Sequence, residues 1–131
     1  IEKYAFGGHY SKLKELTIPD SVTTLSEYSL SGGPNLGKVV IGKGVKIIPE
    51  YLLGGSNSLK NITLGSNVEI IGTSAFADCS SLESITIPSK VKTIGEDAFA
   101  FCSLLKNISL NILIFLMSFC IFFLPPFLNL K

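Results

Sequence analysis

The chain has 131 residues, of which 47% are hydrophobic and 16% are charged, and its formal net charge is +1 at pH 7. This length predicts a single main domain, and the near-neutral charge argues against a basic groove and therefore against nucleic acid as a partner. The three cysteines are an odd number and do not indicate a disulfide framework.

The chain begins with one unit of a 23-residue repeat, and this unit contains a one-residue insertion before its predicted strand. Phe6 lies seven residues before Leu13, whereas Phe76 lies six residues before Leu82. We place the insertion in a turn that leaves the strand intact. The only histidine, His9, falls in this turn without a Ser or Cys nucleophile at a recognisable spacing, so we interpret it as a solvated or packing residue. No leader peptide is visible before this unit, and that carries no information on compartment.

A 23-residue period runs along residues 1–111. Three aliphatic columns carry it: Leu13, Leu36, Leu59, Leu82 and Leu105; Leu16, Val39, Ile62, Ile85 and Ile108; Ile18, Ile41, Leu64, Ile87 and Leu110. Two further columns lie between them: Val22, Val45, Val68 and Val91; Leu25, Ile48, Ile71 and Ile94. A unit this short cannot bury its own apolar face, so the pattern predicts about five stacked coils with a shared core.

Each coil has three predicted parts. The ending L-x-x-I-x-I alternates with period two, which predicts a short strand in a parallel sheet with neighbouring strands about 4.8 Å apart. The motif V-x-x-I returns the chain along the opposite wall. The stretch G-x-x-A-F-x-x-C predicts a turn or short helical piece that places Phe76 and Phe99 in the core. Gly72 and Gly95 are expected to supply a backbone bend, and Pro19 and Pro88 to end ladder pairing because proline has no N–H.

Two units carry a more specific motif. Residues 68–82 read VEIIGTSAFADCSSL, and residues 91–105 read VKTIGEDAFAFCSLL. With the ending L-x-x-I-x-I-P, this pattern over residues 4–111 resembles the BspA-like class of leucine-rich repeats. The resemblance implies a right-handed α/β solenoid with a single curved parallel β-sheet on its concave side and short strands, turns and short helical pieces elsewhere. It also implies a surface protein of the kind implicated in adhesion to host matrix and cells.

The second and third units depart from this motif, since leucine replaces Phe at 30 and 53, and Gly33 and Ser56 replace Cys. The departures leave the coil intact and argue against a uniform cysteine column. Cys79 and Cys102 could form a disulfide between neighbouring coils or remain two buried thiols. We favour buried thiols, because parallel stacking directs both side chains the same way. Two cysteines with a remote His9 do not make a zinc site, so no metal is predicted.

The outward strand positions form two columns of mostly small polar residues on the predicted concave face. These candidate contacts are Glu15, Lys38, Asn61, Ser84 and Asn107, followed by Thr17, Val40, Thr63, Thr86 and Ser109. The columns contain no aromatic anchor and no cluster of charge, so no single hot spot is predicted. Asn61 and Asn107 each begin an N-x-[ST] sequon and are candidate glycosylation sites.

The repeat stops at Asn111, and residues 112–131 form a separate apolar tail. Residues 112–128 read ILIFLMSFCIFFLPPFL and carry no charge. Three interpretations remain open: a short membrane segment, a cap over the last coil, or non-native sequence from a misread gene end. The first of these would bring the chain into contact with a membrane.

These patterns predict a non-enzymatic interaction or adhesion module, secreted or at the cell surface, whose concave sheet binds a protein or glycan partner. No catalytic residue and no cofactor are predicted. The alternative is a structural spacer that displays another domain and has no ligand of its own. An enzyme is the third and least favoured class, since no nucleophile and base occur at a recognisable spacing.

Overall fold

The computed structural model describes residues 1–6 and 10–110 and the backbone of 129–130. His9, with its predicted surface role, and the run 112–128, with its three interpretations, lie outside the described residues. The described chain winds into a parallel β-solenoid whose successive strands are related by the 23-residue period.

The front wall carries one strand from each coil. These strands are β1 (Glu15–Ile18), β2 (Lys38–Ile41), β4 (Asn61–Thr63), β6 (Ser84–Ile87) and β8 (Asn107–Leu110). Their register is that of the repeat, since Leu16 pairs with Val39 and Ile85 pairs with Ile108. A short strand, β9 (Asn129–Leu130), pairs in parallel with β8.

The back wall carries a second, narrower parallel sheet. Its strands are β3 (Ile47–Ile48), β5 (Ile70–Ile71) and β7 (Thr93–Ile94), in that order. We number the coils by their front strands: the first carries β1 and residues 22–25, the second β2 and β3, the third β4 and β5, the fourth β6 and β7, and the fifth β8. The return motif V-x-x-I therefore lies on the wall opposite the front strands, as predicted.

The core lies between the two walls and consists of the predicted inner columns. Leu59, Leu82 and Leu105 are 0%, 0% and 1% exposed and follow one another in successive coils. Phe76 and Phe99 are buried and stack at 5.4 Å between ring centroids, with their planes 12° apart. The inward placement of these aromatic residues is confirmed.

The predicted short helical pieces are wrong: no helix is present among residues 1–6 and 10–110. In the stretch G-x-x-A-F-x-x-C, where helical pieces were predicted, successive N–H groups donate alternately to the next coil and to their own coil. The N–H of Phe76 donates to the Ala98 carbonyl of the next coil, whereas the N–H of Ala77 donates to the Ser74 carbonyl of its own coil. Ser74 and Asp78 also adopt left-handed backbone, with φ of 51° and 60°. A helix would require right-handed residues and local bonds throughout. It follows that this part of the chain contains no helix that could span a membrane.

Gly72 and Gly95 lie where the preceding coil leaves no room for a side chain. The described glycines with positive φ are Gly32 and Gly55. At Gly72 a Cβ would instead lie 2.8 Å from the Glu50 nitrogen of the preceding coil. Glycine is therefore required at this position because two backbones approach closely.

The front wall is not the single continuous sheet that the resemblance implied. Its strands pair as β1–β2–β4 and as β6–β8–β9, with no ladder between β4 and β6. Pro88 directly follows β6, at the position of Gly42 and Gly65 in the preceding coils. Proline has no N–H, so pairing cannot continue past Ile87, as the sequence predicted for this residue; the ladder to β4 is missing along the whole of β6.

Candidate functional site

The ten candidate contacts lie on the outer side of the front wall. Alternation within each strand produces this arrangement: in β6, Ser84 and Thr86 are exposed while Ile85 and Ile87 are buried. Seven of the ten are exposed, and Val40, Asn107 and Ser109 are half-buried. The strands therefore bring the two columns together on one side of the solenoid.

Charge on this surface is confined to its first two coils. The Lys38 ammonium lies 3.5 Å from the Glu15 carboxylate, and both side chains are more than half exposed. An exposed pair of this kind contributes little to stability. From the third coil onward both columns consist of neutral Asn, Thr and Ser side chains.

The break between β4 and β6 opens a cleft of about 320 Å³ in the neutral half of the face. Its lining includes Thr63 and Thr86, one candidate contact from each side of the break. The other lining residues are Ile62, Leu64, Ser66, Pro88 and Ser89. The cleft thus combines four hydroxyl groups with a small apolar floor and has no charged side chain. Such a surface can donate and accept hydrogen bonds, but it has no group able to transfer a proton near neutral pH.

Glycosylation at the two sequons stays a prediction. Asn61 is exposed at the start of β4, and Asn107 is half-buried at the start of β8. A glycan on Asn61 would stand on the same strand as Thr63 and would crowd the cleft.

Cys79 and Cys102 are free, buried thiols in neighbouring coils. The Cys79 thiol donates to the Leu53 carbonyl at 3.4 Å, and the Cys102 thiol donates to the Phe76 carbonyl at 3.1 Å. Burial raises the pKa of both thiols, that of Cys102 to about 12. They therefore pack as small apolar groups, the interpretation that the sequence favoured, and are poor nucleophiles. Among the described residues, no three His, Cys, Asp or Glu side chains are grouped so as to hold a metal ion.

An aromatic ladder that the repeat pattern did not predict lies outside the front face. Tyr4 and Tyr28 stack at 5.5 Å, and Tyr28 and Tyr51 stack at 4.9 Å with their planes 9° apart. The Lys3 ammonium lies 5.5 Å and 5.3 Å from the first two rings and bonds to Glu27 at 3.3 Å. The near-23 spacing of the three tyrosines was the available signal, but only the fold shows that they share one side of the coil.

The sequence matches one family profile, described as "BspA type Leucine rich repeat region", in six copies over residues 1–122. The match extends past residue 111, where the repeat domain was predicted to end. No curated protein matches the chain significantly in sequence.

Several crystal structures share the fold. A leucine-rich cell surface protein from Faecalibacterium prausnitzii matches at 29% identity with a TM-score of 0.71, over 73% of this chain and 25% of that one. A leucine-rich repeat protein from Bacteroides ovatus matches at 27% identity and 0.69, over 83% and 34%. Another from Bacteroides capillosus matches at 25% identity and 0.68, over 76% and 78%. The chain therefore spans about a quarter of the first protein and a third of the second.

Proposed function

Because the chain belongs to the BspA-type leucine-rich repeat family, we propose that it is a non-enzymatic interaction module that binds a protein or glycan partner at the cell surface or outside the cell. Leucine-rich repeat proteins are generally protein-interaction modules, and one structural relative is named as a cell surface protein. Adhesion to host matrix is the specific form of this role that the sequence resemblance favours.

The observation that carries the proposal is the exposed front face with its cleft between β4 and β6. Thr63 and Thr86 present hydroxyl groups on either side of the break, above the apolar side chains of Leu64 and Pro88. A neutral partner with many hydroxyl or amide groups suits this lining, because buried polar groups of a ligand need hydrogen-bond partners. Binding would be the sum of many weak contacts along the columns.

The test is binding of the 131-residue chain to immobilised extracellular matrix proteins and a glycan array. The double variant Thr63→Lys/Thr86→Lys places two charges at the cleft and is expected to lower binding at least tenfold. The matched control is Thr73→Lys/Thr93→Lys, which adds the same charge at exposed positions outside the front face. Equal binding by the wild type and both double variants would remove the front face from the proposal.

The second candidate function is a structural spacer that holds another domain away from a surface. The absence of aromatic side chains from the ten front-face positions favours it, since binding hot spots are enriched in Trp, Tyr and Arg. A folded chain that binds neither the immobilised matrix proteins nor the glycan array would support the spacer function. If the wild-type chain binds a partner and the Thr63→Lys/Thr86→Lys variant does not, the spacer function is excluded.

A further inference from the structure

The back wall opens between the first and second coils. In the third coil the N–H groups of Glu69 and Ile70 both donate to the Lys46 carbonyl, at 2.8 Å and 3.3 Å. The N–H of Lys92 donates in the same way to the Glu69 carbonyl at 2.8 Å. In the second coil, the corresponding bonds from the N–H groups of Lys46 and Ile47 to the Thr23 carbonyl are absent; all three residues belong to the described range 10–110. The strand ladder of the back wall therefore begins only at the second coil.

Pro49 removes a further bond between these two coils. It occupies the position of Gly72 and Gly95, whose N–H groups donate to the Ile48 and Ile71 carbonyls at 2.8 Å and 2.7 Å. Proline has no N–H, so the Leu25 carbonyl receives no bond from the second coil.

The first coil is nevertheless held on its other side. There the N–H of Ser26 donates to the Ile1 carbonyl at 2.9 Å, and the N–H of Phe6 donates to the Ser29 carbonyl at 3.0 Å. The opening is therefore local to the contact between the first two coils.

A cavity of about 390 Å³ lies at this opening. Its lining comprises Thr23, Thr24, Leu25, Gly44, Lys46 and Ile47. Leu25 and Ile47 supply the apolar part, and Ile47 is 53% exposed there. The volume falls within the range of roughly 300–1,000 Å³ that small-molecule sites occupy.

The polar groups of the cavity favour an anion. Lys46 forms no ion pair among the described residues; the Glu69 carboxylate, whose pKa is lowered by Lys92 and to a smaller extent by Lys46, is paired with Lys92 at 2.7 Å. Lys46 and Ile47 both line the cavity, and their N–H groups lack the bonds to Thr23 that Glu69 and Ile70 form to Lys46 in the next coil. Amide donors and an ammonium group together bind carboxylates well.

We propose that this cavity binds an aliphatic carboxylate. The carboxylate accepts hydrogen bonds from the amides of Lys46 and Ile47 and pairs with the Lys46 ammonium. The aliphatic chain lies against Leu25 and Ile47 and is shielded from water. This site is on the wall opposite the front face, and its existence does not depend on the function proposed for that face.

The experiment titrates octanoate into the 131-residue chain and follows amide chemical shifts by NMR. Octanol and acetate are the two matched probes, since one lacks the charge and the other lacks the chain. Octanoate is expected to shift the amides of Leu25, Lys46 and Ile47 and to bind at least tenfold more tightly than either probe. Equal binding of octanol, or shifts elsewhere only, would overturn the proposal.

Two variants separate the charge from the opening itself. Lys46→Gln is expected to weaken octanoate binding at least tenfold, while Lys60→Gln, which removes an exposed charge beside the front strand β4, leaves it unchanged. Pro49→Gly restores the donor present at Gly72 and Gly95, and is expected to close the cavity and abolish binding in a chain that stays folded. Unchanged octanoate affinity in Lys46→Gln, or in folded Pro49→Gly, would refute the assignment.

Discussion

The ring of Tyr10 occupies the space into which a side chain at Gly33 would project. A Cβ at Gly33 would lie 2.6 Å from both the Tyr10 hydroxyl oxygen and its ring atom Cε2. The two residues belong to one repeat column, which continues as Ser56, Cys79 and Cys102. The large side chain in the first coil is thus accommodated by the absence of one in the second. The Tyr10 hydroxyl donates to the Leu30 carbonyl, which fixes the ring in this position.

The first prediction concerns this pair. Gly33→Ala is expected to destabilise the fold by about 1–3 kcal/mol, because the added methyl group forces the Tyr10 ring to move. Gly37→Ala is the control, since a Cβ there meets its nearest atoms at an ordinary 3.7 Å. Urea unfolding followed by circular dichroism measures both. A loss at Gly37 equal to that at Gly33 would show that the ring is not the cause.

The second prediction concerns stability in alkali. Burial raises the pKa of Tyr10 from its ordinary value of 10.0 to about 12. The unfolded chain therefore loses this proton at lower pH than the folded chain, so this contribution to stability is complete below pH 10 and is lost between pH 10 and 12. The two buried thiols add a loss that begins near pH 9, because burial raises their pKa from 9.0.

The test is the free energy of unfolding measured from pH 8 to 11.5. Tyr10→Phe should lose stability less steeply than the wild type above pH 10, since it has no phenol to ionise. Parallel curves for the two proteins would contradict the assignment to Tyr10.

The third prediction concerns the stacked core rings. Phe76→Ala is expected to cost about 3–5 kcal/mol, because it leaves a cavity beside Phe99. Phe76→Leu should cost clearly less, since Leu30 and Leu53 fill the same repeat position in earlier coils and are fully buried. Thermal unfolding of the two variants compares them directly. Similar losses would mean that the position does not tolerate leucine in the fourth coil.

The fourth prediction concerns thiol reactivity. Cys79 and Cys102 are expected to resist a water-soluble disulfide reagent in the folded chain, because both are buried and their thiols remain protonated at neutral pH. The measurement uses a Cys120→Ser background, so that only these two thiols are counted. Both should react once the chain is unfolded in guanidinium chloride. Fast reaction in the folded state would show that the coils open readily at this column.

Much of the candidate site could be predicted from spacing alone. The outward positions of β6, Ser84 and Thr86, follow directly from period-two alternation. The resemblance of residues 68–82 to one class of leucine-rich repeat predicted the solenoid fold. The cleft beside them could not be predicted, because it depends on whether two neighbouring strands form their ladder. The sequence predicts that strand pairing ends at Pro88, but it does not indicate the bond that Pro49 removes on the other wall.

The sequence by itself determined the 23-residue coil, the residues that face the core and those that face solvent, because these depend on the period of apolar residues along the chain. The tertiary structure decided how neighbouring coils meet. Whether an amide bonds within its own coil or with the next one, as at Phe76 and Ala77, depends on a partner 22 residues away or three residues away. The contact between neighbouring coils also decides that Pro49 leaves the Leu25 carbonyl without a bond from the second coil. It decides as well that Gly33 leaves room for the Tyr10 ring.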